Sequence, residues 1–235
     1  MEASTREVNR QQKVGGMAAI YLALAYIVAM PFFLLVVDYQ GATTTAQKVA
    51  LVVGNYSSMY AMYLVTYVAF GIVLGVLTLA LYDRLKASAP AAARATTAIG
   101  LLWAVALVTS GMVFNYGMTT IVALAKTDLE SARLVWQGIE PIAQGLGGAG
   151  GEILGGLWVL FVSWVALRGR ALPKAVCVLG IVVGVAGIVS VVPMLNAAAY
   201  LFGLLQIVWF VCVGVALMRT KVEAVATNAR VAYAQ

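Results

Sequence analysis

The chain contains no histidine, two cysteines and five prolines, and only 10% of its 235 residues are Asp, Glu, Lys or Arg. Each scarcity excludes something. Without histidine the commonest axial haem ligand is gone, as are most general acid–base schemes. Two cysteines alone do not make a zinc site. No nucleophile–base pair, metal set or phosphate-binding loop is visible, so no catalytic residue, metal or cofactor is expected and an enzyme is the weakest class. A soluble globule covers itself with about a quarter charged residues. The few cations here are neither clustered nor interleaved with aromatics, so nucleic acid is not an expected partner.

Apolar residues, at 63% of the chain, take the place of charge. About 20 consecutive apolar residues cross a bilayer core, and six stretches qualify: Val14–Val37, Met59–Leu81, Ala95–Ala125, Ile142–Leu167, Ala175–Val192 and Ala199–Met218. They are continuous runs rather than ten-residue alternations, hence helices and not barrel strands. The expectation is an all-α, six-helix transmembrane bundle over residues 14–218. A cytoplasmic segment, 1–13, precedes it and a cytoplasmic tail, 219–235, follows. The first run is too long for a cleavable signal sequence and reads as a signal-anchor, kinked at Pro31.

Orientation follows from the cations. With the N-terminus inside, Arg6, Arg10, Lys13, Arg84, Lys86, Arg94, Arg168, Arg170, Lys174, Arg219, Lys221 and Arg230 all fall on the inner side. Lys48, Lys126 and Arg133 remain outside. That bias sets topology and puts both termini in the cytoplasm. Cys177 and Cys212 then lie in the inner halves of the last two spans, where a disulfide is not expected.

The outer loops differ. The segment from Asp38 to Ser58 is polar and carries no strong signature. Residues 128–139 show helical periodicity through Leu129, Ala132, Val135, Trp136 and Ile139, after a Thr127-x-x-Glu130 capping pattern. They predict a short amphipathic outer helix ended by Pro141, either anchored at the interface through Trp136 or acting as a lid.

Within the apolar runs one charge stands alone, Glu152. An intramembrane carboxylate costs about 2.5–3.5 kcal/mol and usually faces an interior or a pathway. It lies in a segment, Gly145–Gly156, with seven glycines in twelve residues. Such a segment is either a helix squeezed on several sides or a partly unwound stretch lining a cavity. On a regular helix Gly145, Gly148, Glu152, Gly156, Val159 and Ser163 share a face. Asn115 and Glu152 both come out about 15 Å deep. Gln206 falls in the outer half of the last span, and Tyr56, Tyr60, Tyr63 and Tyr67 stack within about 40° of one helix face. The sharpest expectation is a tyrosine-lined cleft open to the outside. Glu152, Asn115, Tyr63, Tyr67 and Gln206 would bind a proton or a small cationic, polar or amphipathic ligand there. Close glycine pairs (Gly71/Gly75, Gly151/Gly155, Gly180/Gly184) support the alternative, an accessory subunit docking a membrane partner or a second copy through small-residue faces.

Gly155-Gly156-Leu157-Trp158, Leu172-Pro173-Lys174 and Gly180, Gly184 and Gly187 together give the chain a resemblance to a bacterial family of six-span membrane proteins of unknown function. It covers most of residues 10–220. The likeness implies six helices in a bacterial cytoplasmic (inner) membrane, with the lipid bilayer as surroundings, and brings no activity or site residue with it.

Overall fold

The computed structural model describes residues 2–147 and 152–219. Nine α-helices occur among them: α1 (Glu2–Pro31), α2 (Thr45–Gly54), α3 (Tyr56–Tyr63), α4 (Phe70–Leu85), α5 (Pro90–Leu124), α6 (Leu129–Gly147), α7 (Ile153–Arg168), α8 (Lys174–Val189) and α9 (Ala198–Arg219). Two π-helical segments, Phe32–Val36 and Leu64–Ala69, extend α1 and join α3 to α4. Four runs are long and apolar enough to cross a membrane: Asn9–Val36, Tyr56–Leu85, Pro90–Leu124 and Ala198–Arg219. The chain is thus all-helical among its described residues and compatible with an integral membrane protein.

The fourth and fifth expected spans come out differently. Ile142–Leu167 is not one helix: Glu152 has non-helical backbone angles (φ −95°, ψ 47°) before α7 begins. Each glycine costs a helix interior about 0.8–1 kcal/mol relative to alanine, and the break at Glu152 falls inside the glycine-rich segment. Gly148 and Gly151 lie outside the described residues, as does the tail after Arg219. Helices α7 and α8 have 16 residues each, about 24 Å at 1.5 Å per residue, short of a bilayer core of about 30 Å. Pro141 does not end α6, which runs through it to Gly147. Pro31 closes α1 proper and is followed by π-helical rather than kinked α-helical backbone.

The chain divides into two compact units. The first comprises Met1–Leu24, Val73–Ala104 and Gly151–Gln235. Its centre is a row of tryptophans: the rings of Trp103 and Trp158, and those of Trp158 and Trp209, lie 5.7 Å apart. Helices α7 and α8 pack backbone to backbone. A Cβ on Gly156 would stand 2.8 Å from the Gly184 carbonyl oxygen, and one on Gly184 2.6 Å from Leu160 Cβ. Gly180 is overlaid by Ser163 and the Trp209 indole. The face bearing Gly156, Val159 and Ser163 is therefore spent on internal contact. A Cβ on Gly75 would meet, among the described residues, only Leu101, at an ordinary 3.9 Å.

The second unit comprises Ala25–Ile72 and Val105–Gly150. Its core is aromatic and thioether-rich, with Tyr39, Met59, Tyr63, Phe114, Met118 and Trp136 among its buried members. Helix α6 runs along α5: the Ser110 hydroxyl donates to the Ala143 carbonyl (2.7 Å), and Phe114 and Trp136 rings are 6.1 Å apart. Trp136 has no exposed surface. An interfacial anchor must reach the headgroups, so the anchoring role expected for Trp136 does not hold. The cap of α6 also sits one residue later than the sequence suggests. Asp128 accepts from the Ser131 backbone N–H (3.0 Å), while the Thr127 hydroxyl donates back to Leu124.

Candidate functional site

The second unit holds the richest polar chemistry, and it is assembled from three segments. After α1, Asp38 adopts a left-handed conformation (φ 49°), which a short polar side chain tolerates. Gly41 permits the turn, since a Cβ there would strike the Asp38 carboxylate. This reversal directs Tyr39 inward, its backbone N–H donating to Phe33 (3.0 Å). Helix α2 is started by a capping box in which Thr44 and Gln47 satisfy each other's backbone N–H groups. It buries Val49 and Val52 and carries Lys48 one residue from Val49. Helix α6 supplies Trp136, Glu140 and Gln144 at successive turns.

These side chains converge on one carboxylate. Glu140 is 7% exposed, and its Oε1 accepts from the Lys48 ammonium (2.6 Å), the Tyr39 hydroxyl (3.0 Å) and the Gln144 amide (3.0 Å). The Trp136 indole N–H donates to the Tyr39 oxygen (3.0 Å), which fixes the phenol's donor toward Glu140. Lys48 also stands 5.4 Å over the Tyr39 ring, within cation–π reach. Burial, and then the Glu140 charge, hold the Tyr39 phenol well above its ordinary range. No site expectation included Tyr39, Lys48 or Glu140, because all three read as outer-loop residues. Two signals were present: Thr44-x-x-Gln47 marks a helix start, and Trp136, Glu140 and Gln144 fall at i, i+4 and i+8.

Two of the expected site residues pair within this unit. Tyr63 and Tyr67 rings lie 5.2 Å apart, and Tyr63 stacks on Phe114 at 4.4 Å. Tyr56 and Tyr60 form a second pair at 5.7 Å. The ladder is not one regular helix, since Leu64–Ala69 is π-helical, a form often found at functional positions. Asn115 is in the same unit. One turn below it on α5, Gly111 admits Tyr67: a Cβ would come to 2.6 Å from Tyr67 Cβ. One turn above it, Thr119 and Tyr56 hydroxyls are hydrogen-bonded at 2.9 Å. Residues four apart share a helix face, so the Asn115 face of α5 lies against the tyrosine helix. The Asn115 side chain is 4% exposed, and neither Oδ1 nor Nδ2 has a hydrogen-bond partner among the described residues.

Glu152 and Gln206 belong to the first unit. Glu152 is not mid-helix: it precedes α7, with its N–H on the Ser190 hydroxyl (3.1 Å) and its carbonyl accepting from Gly156 (2.7 Å). A carboxylate at a helix N-terminus is favoured by the dipole, by about 0.3–1 kcal/mol, which offsets part of its cost. Gln206 is fully buried in α9, and both atoms of its amide lack a partner among the described residues. Comparison with protein-family models, with characterised proteins and with solved structures finds no match for this chain.

Proposed function

We propose that this chain is a multi-pass protein of a cytoplasmic membrane, with its termini inside. It binds a small polar, cationic or amphipathic molecule from the outer side, in the second unit between the tyrosine ladder and Asn115. The observation that carries this reading is the Asn115 amide. It offers two donors and an acceptor, and a buried polar group left unpaired costs about 1–3 kcal/mol. A ligand laid against Tyr60, Tyr63 and Asn115 would satisfy it and cover aromatic surface at once. Gln206 repeats the feature in the first unit and is proposed, with Glu152, as a second place of polar contact.

The accessory-subunit reading is less well supported. Of the glycines it relies on, Gly155, Gly180 and Gly184 are occupied by contacts within the first unit, while Gly75 is not crowded. The proposal is tested by extracting the small molecules that stay with the purified protein, identifying them by mass spectrometry, and adding each back. A true ligand raises Tm of the wild type and leaves Asn115→Leu unmoved. If every co-purifying molecule acts alike on both, or none acts at all, the reading fails.

A further inference from the structure

The Glu140 network divides into a fixed half and a detachable half. The fixed half is closed without Lys48: Trp136 donates to Tyr39, Tyr39 and Gln144 donate to Glu140 Oε1, and Trp136 and Glu140 share α6. Trp136 is fully buried and Tyr39 is 8% exposed, so packing holds this acceptor in place. The donors all fall on Oε1, and Oε2 receives none from the described residues.

The detachable half is Lys48. Its side chain is 26% exposed, against 9% for Glu140. It arrives on a ten-residue helix, α2, whose Val49 and Val52 are buried in the same core as Ala132 and Trp136 of α6, with the Gln137 amide donating to the Thr45 hydroxyl (3.2 Å) at its first turn. An isolated helix of that length is marginal in water, so α2 keeps its place through this packing, while the Lys48 side chain itself stays partly exposed at the rim. What Lys48 presents is a primary ammonium on an alkyl stem. What receives it is a buried carboxylate beside an aromatic face, the recognition chemistry of an organic cation.

We propose that Glu140 and Tyr39 form a recognition site for a primary alkylammonium ligand, occupied in this structure by Lys48 as a tethered stand-in. An external amine binds by taking the place of Lys48, with its ammonium on Glu140 and over the Tyr39 ring. The vacant hydrogen-bonding capacity of Oε2 lets such an ammonium bridge both oxygens. The site shares no residue with the Asn115 position and stands or falls independently of it.

The test is chemical rescue. Purified full-length Lys48→Ala is melted with increasing propylammonium chloride, against sodium chloride at equal ionic strength and tetramethylammonium chloride as a cation without N–H donors. The expected result is a saturable rise in Tm with propylammonium that neither control reproduces. It should require about tenfold more amine in the wild type, where the tethered lysine competes, and vanish in Lys48→Ala/Glu140→Gln. If Lys48→Ala does not fold, Lys48→Met keeps the stem, and amine binding to it is measured by calorimetry. An identical response to propylammonium and sodium, or rescue that survives loss of the Glu140 charge, overturns the proposal and leaves an ordinary ion pair.

Discussion

Glu140→Gln removes one charge and almost no volume, which makes it the cleanest probe of the outer network. The amide oxygen can still accept from Tyr39 and Gln144, so the loss falls on the Lys48 ion pair. A fully buried pair broken on one side costs about 3–5 kcal/mol, and an exposed one about 0.2–1 kcal/mol. Here Glu140 is buried but the Lys48 side chain is 26% exposed, so water can recover part of the ammonium's solvation. A loss of about 1.5–3 kcal/mol is expected, in the range of a hydrogen bond to a charged group. For a chain of this size that is roughly 3–12 °C in Tm. Thermal melts of the wild type, Glu140→Gln, Lys48→Met and the double variant in one detergent give the coupling between the two residues. Coupling above about 1 kcal/mol is expected, because both partners act through the same oxygen. Coupling under about 0.3 kcal/mol would mean that the 2.6 Å contact holds nothing together, and the reasoning would be refuted.

Three further outcomes can be checked separately. Gly184→Ala puts a methyl 2.6 Å from Leu160 Cβ and 2.7 Å from its backbone nitrogen, so α7 and α8 must separate; a loss of about 1–3 kcal/mol is expected, and an unchanged Tm would contradict the packing. Tyr39 is held protonated in the fold above its ordinary value of 10.0, so its contribution is complete below about pH 10 and is lost as pH rises further, when only the unfolded phenol ionises. Tyr39→Phe should lower Tm at pH 7, because Glu140 and the Trp136 indole each lose a buried hydrogen bond, and should flatten the fall in Tm above pH 10; a fall of the same steepness in both proteins would count against it. For topology, single cysteines at the exposed positions Gln40 and Ala87 should label from opposite sides of intact cells, with Gln40 reached by an impermeant reagent; labelling of both would contradict the orientation read from the cations.

What the sequence made legible, and what it hid, have physical reasons. Long apolar runs report membrane helices because burial in lipid leaves few alternatives, and the runs around α1, α4, α5 and α9 were plain. Periodicity cannot say where a helix breaks, so Ile142–Leu167 read as one span although the backbone is non-helical at Glu152. The tyrosine positions on α3 were readable, while the π-helical segment at Leu64–Ala69, whose Tyr67 and Val68 pack against Gly111, was not. Glu152 drew attention because a charge among apolar residues is conspicuous. Glu140 did not, because a charge among loop residues is ordinary. Only the fold reveals that Glu140 is the carboxylate buried among aromatic rings, since its partners lie 92 and 101 residues away at Lys48 and Tyr39.

The most direct measurement of the central claim is the intact mass of the protein released from lipid nanodiscs, compared between wild type and Asn115→Leu. The account predicts a small-molecule adduct on the wild type that is absent from Asn115→Leu, with both proteins folded. A bare wild-type mass, together with a higher Tm for Asn115→Leu, would show the buried amide to be a packing defect and would contradict the claim.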